Sequence, residues 1–445
     1  MSQIERPRFS CVLGGALATL TSLPRVAPIV HASAGCGGNL FTAAYSGSGY
    51  LGVGYCGGQG LPSSNIGESD VVFGGTERLS EQIRTTLEVI DADLFVVTSS
   101  CMTDIIADDI GGAVQEFKEN QKPVIAIETG GFKGNSYHGY ELVIEGLFKD
   151  YIKNVETKDK KLINIFGVIP AYDPFFRGDL EEIKSILERL GLKVNTFFTN
   201  DQTIENVKSA GEAALNISFS QIYGREVLES IEKTHKIPYM VADLPIGAIA
   251  TREFLYELSK KIKINKKILE QVLTEKFSIY YKYIDRALDL YADSDFQQYA
   301  IVVANANGAI PYTKFLAEEL GWIPKYVYIT DDLKENQKQI LVNHFNSLDI
   351  ITKPELIFET DTSKIGERFL KSRPQFLSDR YVDQFSPAYI LGSTLEKDFA
   401  NSINAKLLSV SFPITNRLII DRGYAGFRGG LHLFEDIINI LVGGR

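Results

Sequence analysis

Cysteine is scarce in this chain of 445 residues, and none of its four cysteines belongs to a CxxC pair. A zinc ribbon, a thioredoxin motif and a bacterial ferredoxin run all need such close pairs, so these three kinds of site are excluded. The GxSxG, HExxH and Walker A motifs are also absent. Any metal or catalytic site must therefore be gathered by the tertiary fold from distant residues.

Long basic runs and long apolar runs are missing as well. The net charge of −10 argues against binding to a nucleic-acid backbone, which requires clustered Lys and Arg. No stretch approaches the roughly 20 apolar residues of a membrane span, and the apolar run after Arg8 is interrupted by Gly14 and Gly15. We expect no nucleic-acid partner, no membrane contact and a cytoplasmic location. Disulfides are rare in that reducing compartment, so the cysteines need another explanation.

What recurs along the chain is an apolar, β-branched run followed by a turn and a helical pattern. This alternation is typical of parallel α/β units, whose strands are buried on both faces. Eleven strands are predicted, at residues 27–30, 94–97, 123–127, 162–166, 193–197, 213–217, 239–242, 300–304, 326–329, 388–391 and 407–410.

Amphipathic helices separate these strands, for example at residues 180–190, and a long helical stretch covers about 266–292. A chain of this length should divide into two or three domains. We predict an α/β protein with three Rossmann-like, doubly wound parallel-sheet domains at residues 1–155, 156–295 and 296–445.

All four cysteines fall in the first quarter of the chain. Cys101 follows a buried strand and is predicted to open a helix at residues 102–110, which places it at the ligand-binding end of a parallel sheet. Free backbone N–H groups and the positive end of the helix dipole would stabilise a thiolate there.

The other cysteines lie among small residues. Cys36 follows a strand in a glycine-rich turn, and Cys11 precedes a pair of glycines. A lone cysteine is commonly a small buried hydrophobe, but three in glycine-rich turns favour a metal site. Cys11, Cys36 and Cys101 form the predicted ligand set. Cys56 stays open, as a further ligand, a neighbour of the site or a structural residue.

Four segments resemble the nitrogenase component 1 family, and more closely its β-type subunits. In chain order they are residues 9–11, 29–36, 68–75 and 98–109. The last one reads TSSCMTDIIADD and combines small polar residues before the cysteine with an Asp-Asp pair on the helix. The 25-residue separation of Cys11 and Cys36 is also similar to that of the family.

The resemblance implies that Cys11, Cys36 and Cys101 hold one half of an iron–sulfur cluster shared with an α-type subunit. The implied cluster is of the P-cluster type, 8Fe-7S, or else 4Fe-4S. The implied assembly is an α2β2 heterotetramer that receives electrons from a dimeric, ATP-dependent iron–sulfur reductase, the Fe protein. Asp104, Asp108 and Asp109 would then face the docking surface of that reductase or cap their own helix.

Departures from the catalytic α-type pattern are equally informative. The α-type cysteine ligand would lie within residues 214–220, which contain serines but no cysteine. Residues 423–432 resemble the β-type ending. His432 is interpreted as structural. Gly131 stands where some molybdenum-type β subunits place a serine ligand of the oxidised cluster, so this chain lacks that ligand.

Two functions of the family stay open, and a third interpretation lies outside it. The chain is predicted to be the β-type subunit of a substrate-reducing complex; the alternative is a cofactor-assembly scaffold subunit. The third is a three-domain Rossmann-like binding protein with incidental cysteines. Among weaker candidates, the turn at 305–309 resembles a ligand-binding loop without GxGxxG spacing, His138 follows a strand, and His235 and His344 are expected at the surface.

Overall fold

Three separate parallel sheets organise the computed structural model, which describes residues 4–49, 60–293, 298–373 and 386–443. Up to residue 150 the elements are α1 (Val12–Ser22), β1 (Val26–His31), α2 (Ala34–Ser46), α3 (Glu68–Phe73), α4 (Thr76–Val89), β2 (Leu94–Ser99), α5 (Cys101–Ile105), α6 (Ile110–Glu119), β3 (Val124–Ile127) and α7 (Ser136–Asp150).

The elements of the middle part follow in the same alternation. They are β4 (Asp159–Phe166), α8 (Phe176–Arg189), β5 (Lys193–Asn195), α9 (Ile204–Lys208), β6 (Ala213–Ser218), α10 (Arg225–His235), β7 (Tyr239–Val241), α11 (Gly247–Lys261), α12 (Lys266–Ile284) and α13 (Leu288–Asp293).

The last part carries the largest sheet. Its elements are β8 (Tyr299–Ala304), α14 (Ala306–Lys314), β9 (Ile323–Ile329), α15 (Glu335–Ser347), β10 (Glu355–Phe358), α16 (Ser363–Ser372), β11 (Tyr389–Gly392), α17 (Lys397–Ser402), β12 (Lys406–Ser409) and α18 (Gly426–Val442).

The first sheet has the order β1-β2-β3 and is covered by helices on both faces. Ala27 and Phe95 point into one apolar cluster with residues of α4 and α6. Val26 and Val96 point to the opposite face, into a cluster with residues of α1 and α7. Because successive side chains of a strand point to opposite faces, this double covering explains the continuous apolar runs in the sequence.

The second and third sheets have the orders β5-β4-β6-β7 and β10-β9-β8-β11-β12. In each, the chain starts in the middle and reverses direction across the sheet, as doubly wound sheets do. All pairings in the three sheets are parallel, so the predicted fold class is confirmed. The carboxyl ends of the strands supply the loops from which sites of this class are built.

All eleven predicted runs overlap strands, but the edge strand β10 was not predicted. The helix predicted at 102–110 is wrong in extent, because α5 ends at Ile105 and Ala107 adopts a φ of 57°, which stops the helix. The long stretch after 266 is interrupted by a 3-10 turn at Asp285–Ala287.

The predicted domain boundaries near 155 and 295 fall between the sheets and stay a prediction. One apolar cluster of buried residues extends over all three sheets, from Ala16 to Ile438. The C-terminal helix α18 packs against α8, α11 and α12, which belong to the middle part. In the described ranges, no helix is long and apolar enough to cross a membrane.

Candidate metal centre

The three predicted ligands each lie at the start of a helix of the first sheet. Cys11 is the N-cap residue of α1, Cys36 lies in the first turn of α2, and Cys101 is the first residue of α5. The first N–H groups of a helix have no partner within it, and the helix dipole is positive there. All three positions therefore place a sulfur atom near backbone N–H groups that can donate hydrogen bonds to it.

Gly131 shows how closely two of these thiols approach each other. A Cβ atom at this glycine would lie 2.9 Å from Cys101 Sγ and 3.4 Å from Cys11 Sγ. Cys36 joins the group because it and Cys11 pack against the same small apolar cluster of Leu13, Leu17, Val30 and Ala32. The fold thus brings together three residues that span 90 positions of the sequence.

The site is open on one side. Cys101 is exposed, whereas Cys11 and Cys36 are half-buried. Burial raises the pKa of the Cys11 thiol, hydrogen bonds from the backbone of Gly14 and Leu13 oppose that change, and the thiols of Cys101 and Cys36 raise it further. Since each thiol affects the ionisation of Cys11, a bound cation would be stabilised by all three thiolates together.

The three thiols are not arranged around a single metal ion. Within the described part of the chain, no three His, Cys, Asp or Glu side chains are grouped as the ligands of one metal ion. Gly131, which has no side chain, borders the thiols of Cys101 and Cys11. Soft sulfur donors on several neighbouring turns suit a polynuclear iron–sulfur group whose remaining ligands come from elsewhere.

A buried network behind the cysteines was not predicted from the sequence. His31 is fully buried, with Nε2 2.9 Å from Asp108 Oδ2 and Nδ1 2.9 Å from Ser64 Oγ. Burial lowers the pKa of His31, which favours a neutral ring that donates to Asp108 and accepts from the serine. Asp108 also accepts a hydrogen bond from the Gly75 N–H at 2.9 Å. This network connects β1, the segment after α5 and the start of α4.

The acidic residues after Cys101 have three separate roles. Asp109 caps α6 by accepting from the Gly112 N–H at 2.7 Å, and Asp108 belongs to the His31 network. Asp104 lies 2.9 Å from Lys133 Nζ, which is also 2.8 Å from Glu128 Oε2. The expectation that these residues cap their own helix is therefore wrong for Asp109, because Asp109 caps the following helix, α6. Their place on a docking surface stays a prediction.

Large apolar side chains are exposed on the segments around Cys101. Phe73 is 88% exposed at the end of α3, Ile105 is 73% exposed at the end of α5, and Phe132 is 62% exposed beside Gly131. Helix α3 has no buried residue at all. Clustered exposed apolar residues are typical of surfaces that another protein covers.

The weaker candidates make intramolecular contacts. The side chain of Asn305 caps α14 by accepting from the Gly308 N–H, and His138 pairs with Glu141 at 2.9 Å. His432 lies 3.2 Å from the carbonyl oxygen of Gly423, and its structural role stays a prediction. The surface prediction for His235 is wrong, because its ring packs edge-on against Phe148 and is buried. Cys56 lies outside the described residues.

The carboxyl ends of the second and third sheets meet at a different kind of place. They border a cavity of about 30 Å³, lined by Asp173, Asp179, Asn305, Asn307 and Tyr312 among others, and neither Cys nor His lines it. Ser220 lies in the stretch 214–220, which contains serines but no cysteine, and its Oγ accepts from the Tyr223 N–H at 2.7 Å, which is a turn-stabilising role.

Three parallel sheets, with the three cysteines at helix starts around the first one, define the class as an α/β protein with a candidate metal centre. A profile of the nitrogenase component 1 type oxidoreductases matches residues 11–442, and the chain belongs to this family. The predicted membership of the nitrogenase component 1 family is therefore confirmed.

The relatives are distant but cover most of the chain. A nitrogenase molybdenum-iron protein beta chain of Methanococcus maripaludis is 22% identical, over 99% of this chain and 94% of its own length. A nitrogenase iron-molybdenum cofactor biosynthesis protein NifE of the same species is 29% identical, but over only 52% of this chain and 47% of its own. The solved structure described as nitrogenase Cp1 at pH 6.5 has a TM-score of 0.80 at 20% identity, covering 100% of this chain and 94% of that one, and supports the fold.

Proposed function

We propose that this chain is the β-type subunit of a nitrogenase or nitrogenase-like reductase. In this proposal Cys11, Cys36 and Cys101 hold half of an interfacial iron–sulfur cluster, of the P-cluster type 8Fe-7S or 4Fe-4S, and an α-type subunit holds the rest. When bound, that cluster supplies electron transfer from an ATP-dependent iron–sulfur reductase to the active-site metallocofactor of the α-type partner. The single observation that carries the proposal is the proximity of the three cysteines: the side-chain-free Gly131 borders the thiols of Cys101 and Cys11, and Cys36 packs with Cys11 against one apolar cluster.

The open geometry of the site supports a shared cluster. The exposed Cys101 leaves one side of the thiol group accessible to another chain. The exposed Phe73, Ile105 and Phe132 lie on segments next to it and would be covered by protein partners. We infer an α2β2 heterotetramer with an α-type subunit, and a dimeric Fe protein as the electron donor.

The cavity at the carboxyl ends of the second and third sheets supports the β-type role. Its lining contains neither Cys nor His, which would be needed to ligate a substrate-reducing metallocofactor there. In this proposal that cofactor is held by the partner, and this chain contributes the electron-transfer site.

An assembly scaffold is the second candidate function. It is favoured by the match to a cofactor biosynthesis protein, which has a higher percentage identity over a shorter part of the chain. A scaffold complex would hold a maturing cofactor without reducing a substrate. An activity assay of the complex purified with its natural partner decides between the two functions. Substrate reduction after addition of the reductase is expected of the enzyme and not of the scaffold.

The first experiment measures iron in the complex purified anaerobically with its α-type partner. Cys36→Ala and Cys101→Ala should each lose most of the cluster iron, because thiolates are the only soft ligands at these turns. Cys56→Ala is the matched control and should lose less. Equal iron in the parent complex and Cys101→Ala would overturn the ligand assignment.

The second experiment tests the electron donor. The oxidation state of the cluster is followed by electron paramagnetic resonance while the reductase is added with ATP, with ADP or without nucleotide. Reduction only in the presence of ATP is expected. Equal reduction under all three conditions would exclude nucleotide-gated electron delivery.

A further inference from the structure

We infer that Asp104 and Lys133 form a charge pair that sets the reduction potential of the group bound by the cysteines. This inference rests on the proposed function, since it requires a cluster at Cys11, Cys36 and Cys101. It assigns a redox-positioning role to two residues that are not ligands.

The geometry places both residues on the two elements that border the thiols, helix α5 and the turn of Gly131. Asp104 follows Cys101 by three residues in α5, and residues at this spacing lie on one face of a helix with Cβ atoms about 5–6 Å apart. Lys133 belongs to the same 3-10 turn as Gly131, which borders Cys101 Sγ and Cys11 Sγ. A Cβ atom at Gly130 would lie only 2.2 Å from Asp104 Oδ2, so the turn and the helix are in direct contact.

The Asp104–Lys133 pair is partly shielded from solvent. The side chain of Asp104 is 11% exposed and that of Lys133 is 30% exposed, whereas Glu128, the second partner of Lys133, is 70% exposed. Charges near a protein surface interact more strongly than in bulk water, and solvent screens the exposed Glu128 most. Asp104 and Lys133 carry opposite charges, and substitution can remove each charge separately.

The direction of each effect follows from the charge that reduction adds. Reduction places extra negative charge beside the thiolates, so the Lys133 ammonium stabilises the reduced state and the Asp104 carboxylate destabilises it. A protein sets the potential of a cluster through the charges and hydrogen bonds that surround its ligands. Removing Lys133 should lower the midpoint potential, and removing the charge of Asp104 should raise it.

The opposite signs distinguish this role from a structural one. If the pair only held the turn at Gly131 against α5, Lys133→Met and Asp104→Asn would break the same contact and shift the potential in the same direction. The double variant Asp104→Asn/Lys133→Met removes both charges, and its potential should lie between those of the single variants.

The experiment uses the full complex with its α-type partner, and measures iron content and the midpoint potential of the cluster by mediated potentiometry with electron paramagnetic resonance. Lys133→Arg keeps the charge and should stay near the parent potential. Lys118→Met is the matched control, because Lys118 pairs with Asp150 on helices of the same sheet and does not border the cysteines. It should leave the potential unchanged.

The outcomes separate the inference from the proposed function. Iron-containing variants with opposite shifts for Lys133→Met and Asp104→Asn would support the inference. Coincident potentials, or shifts of the same sign, would overturn it while leaving the cluster assignment intact. A parent complex without iron would overturn the proposed function instead. If Lys133→Met fails to assemble, the other two single variants still test the inference. Only an electrostatic role raises the midpoint potential in Asp104→Asn and leaves it unchanged in Lys133→Arg.

Discussion

The carboxyl ends of the strands are built differently in the first sheet and at the junction of the second and third sheets. At the first sheet, the side-chain-free Gly131 lies against the thiols of Cys101 and Cys11. At the junction, acidic, amide and tyrosine side chains fill almost all of the space and leave a cavity of about 30 Å³. The carboxyl ends of the strands therefore form a candidate metal site at the first sheet, whereas at the junction they are packed with side chains that stabilise the interior.

Two features separate these regions, namely side-chain volume and the partners of polar groups. Glycine at 131 allows the backbone to approach the sulfur atoms of Cys11 and Cys101 closely, and Cys101 is exposed. At the junction Asp179 accepts hydrogen bonds from the backbone of Tyr424 and Ala425, at 2.6 and 2.8 Å, and thereby joins α8 to the loop before α18. A position at the end of a strand becomes a binding site only where the chain leaves its polar groups or sulfur atoms available.

The largest expected effect comes from filling the space at the first sheet. Gly131→Val should lose most of the cluster iron, because even its Cβ atom would lie 2.9 Å from Cys101 Sγ and 3.0 Å from Cys11 Cβ. Iron analysis of the anaerobic complex measures this loss. Gly38→Ala in α2 is the control, since a Cβ atom there meets nothing within 4 Å. Full iron content in Gly131→Val would show that the space is not used.

The next effect concerns the stability of the junction. Asp179→Ala should lower the free energy of unfolding by about 3 kcal/mol, because it leaves two buried backbone N–H groups without an acceptor. Asp179→Asn keeps the accepting Oδ1 atom and should cost less. Denaturant unfolding of the purified chain or complex checks both. Equal losses for the two variants would mean that the carboxylate charge, not the hydrogen bonds, matters.

The pH dependence of stability should also originate at the junction. Burial raises the pKa of Asp331 to about 7, and its value in the unfolded chain is the ordinary 3.8. Between pH 3.8 and about 7 the folded state therefore keeps a proton on Asp331 that the unfolded state has lost. The free energy of unfolding falls as pH rises through this range, by up to about 1.4 kcal/mol per pH unit.

Asp331→Asn should make that slope less steep, and the remaining slope should come partly from Asp179, whose pKa burial also raises to about 7. The measurement is denaturant unfolding at several pH values from 4 to 7. A slope that is unchanged in Asp331→Asn would contradict the assignment. Asp159, which burial hardly affects and whose pKa the hydrogen bond from Lys193 lowers, supplies a control in Asp159→Asn.

The smallest effects should separate the two adjacent aspartates behind the cysteines. Asp108→Ala removes the acceptor of both the buried His31 ring and the Gly75 N–H, and should cost about 2 kcal/mol. Asp109→Ala removes only the cap of α6, which is worth about 1 kcal/mol. Unfolding measurements on both variants test the ranking. A larger loss for Asp109→Ala would show that the His31 network contributes little.

Most of the fold could be predicted because parallel strands covered on both faces leave long apolar runs in the sequence. The exceptions have physical causes. Strand β10 was missed because it is a half-buried edge strand that follows Pro354, so its apolar signal is short. The break after Ile105 depends on a positive φ at Ala107, for which alanine gives no warning in a sequence.

The candidate site divides in the same way. The sequence by itself determined the three parallel sheets and the choice of Cys11, Cys36 and Cys101, because strand burial and small-residue turns are local patterns. Only the tertiary structure decided that Gly131 borders two of the thiols, that His31 meets Asp108, and that Lys133 meets Asp104. Each of these contacts joins residues separated by about 30 positions or more, so packing between elements, and not any local pattern, selects them.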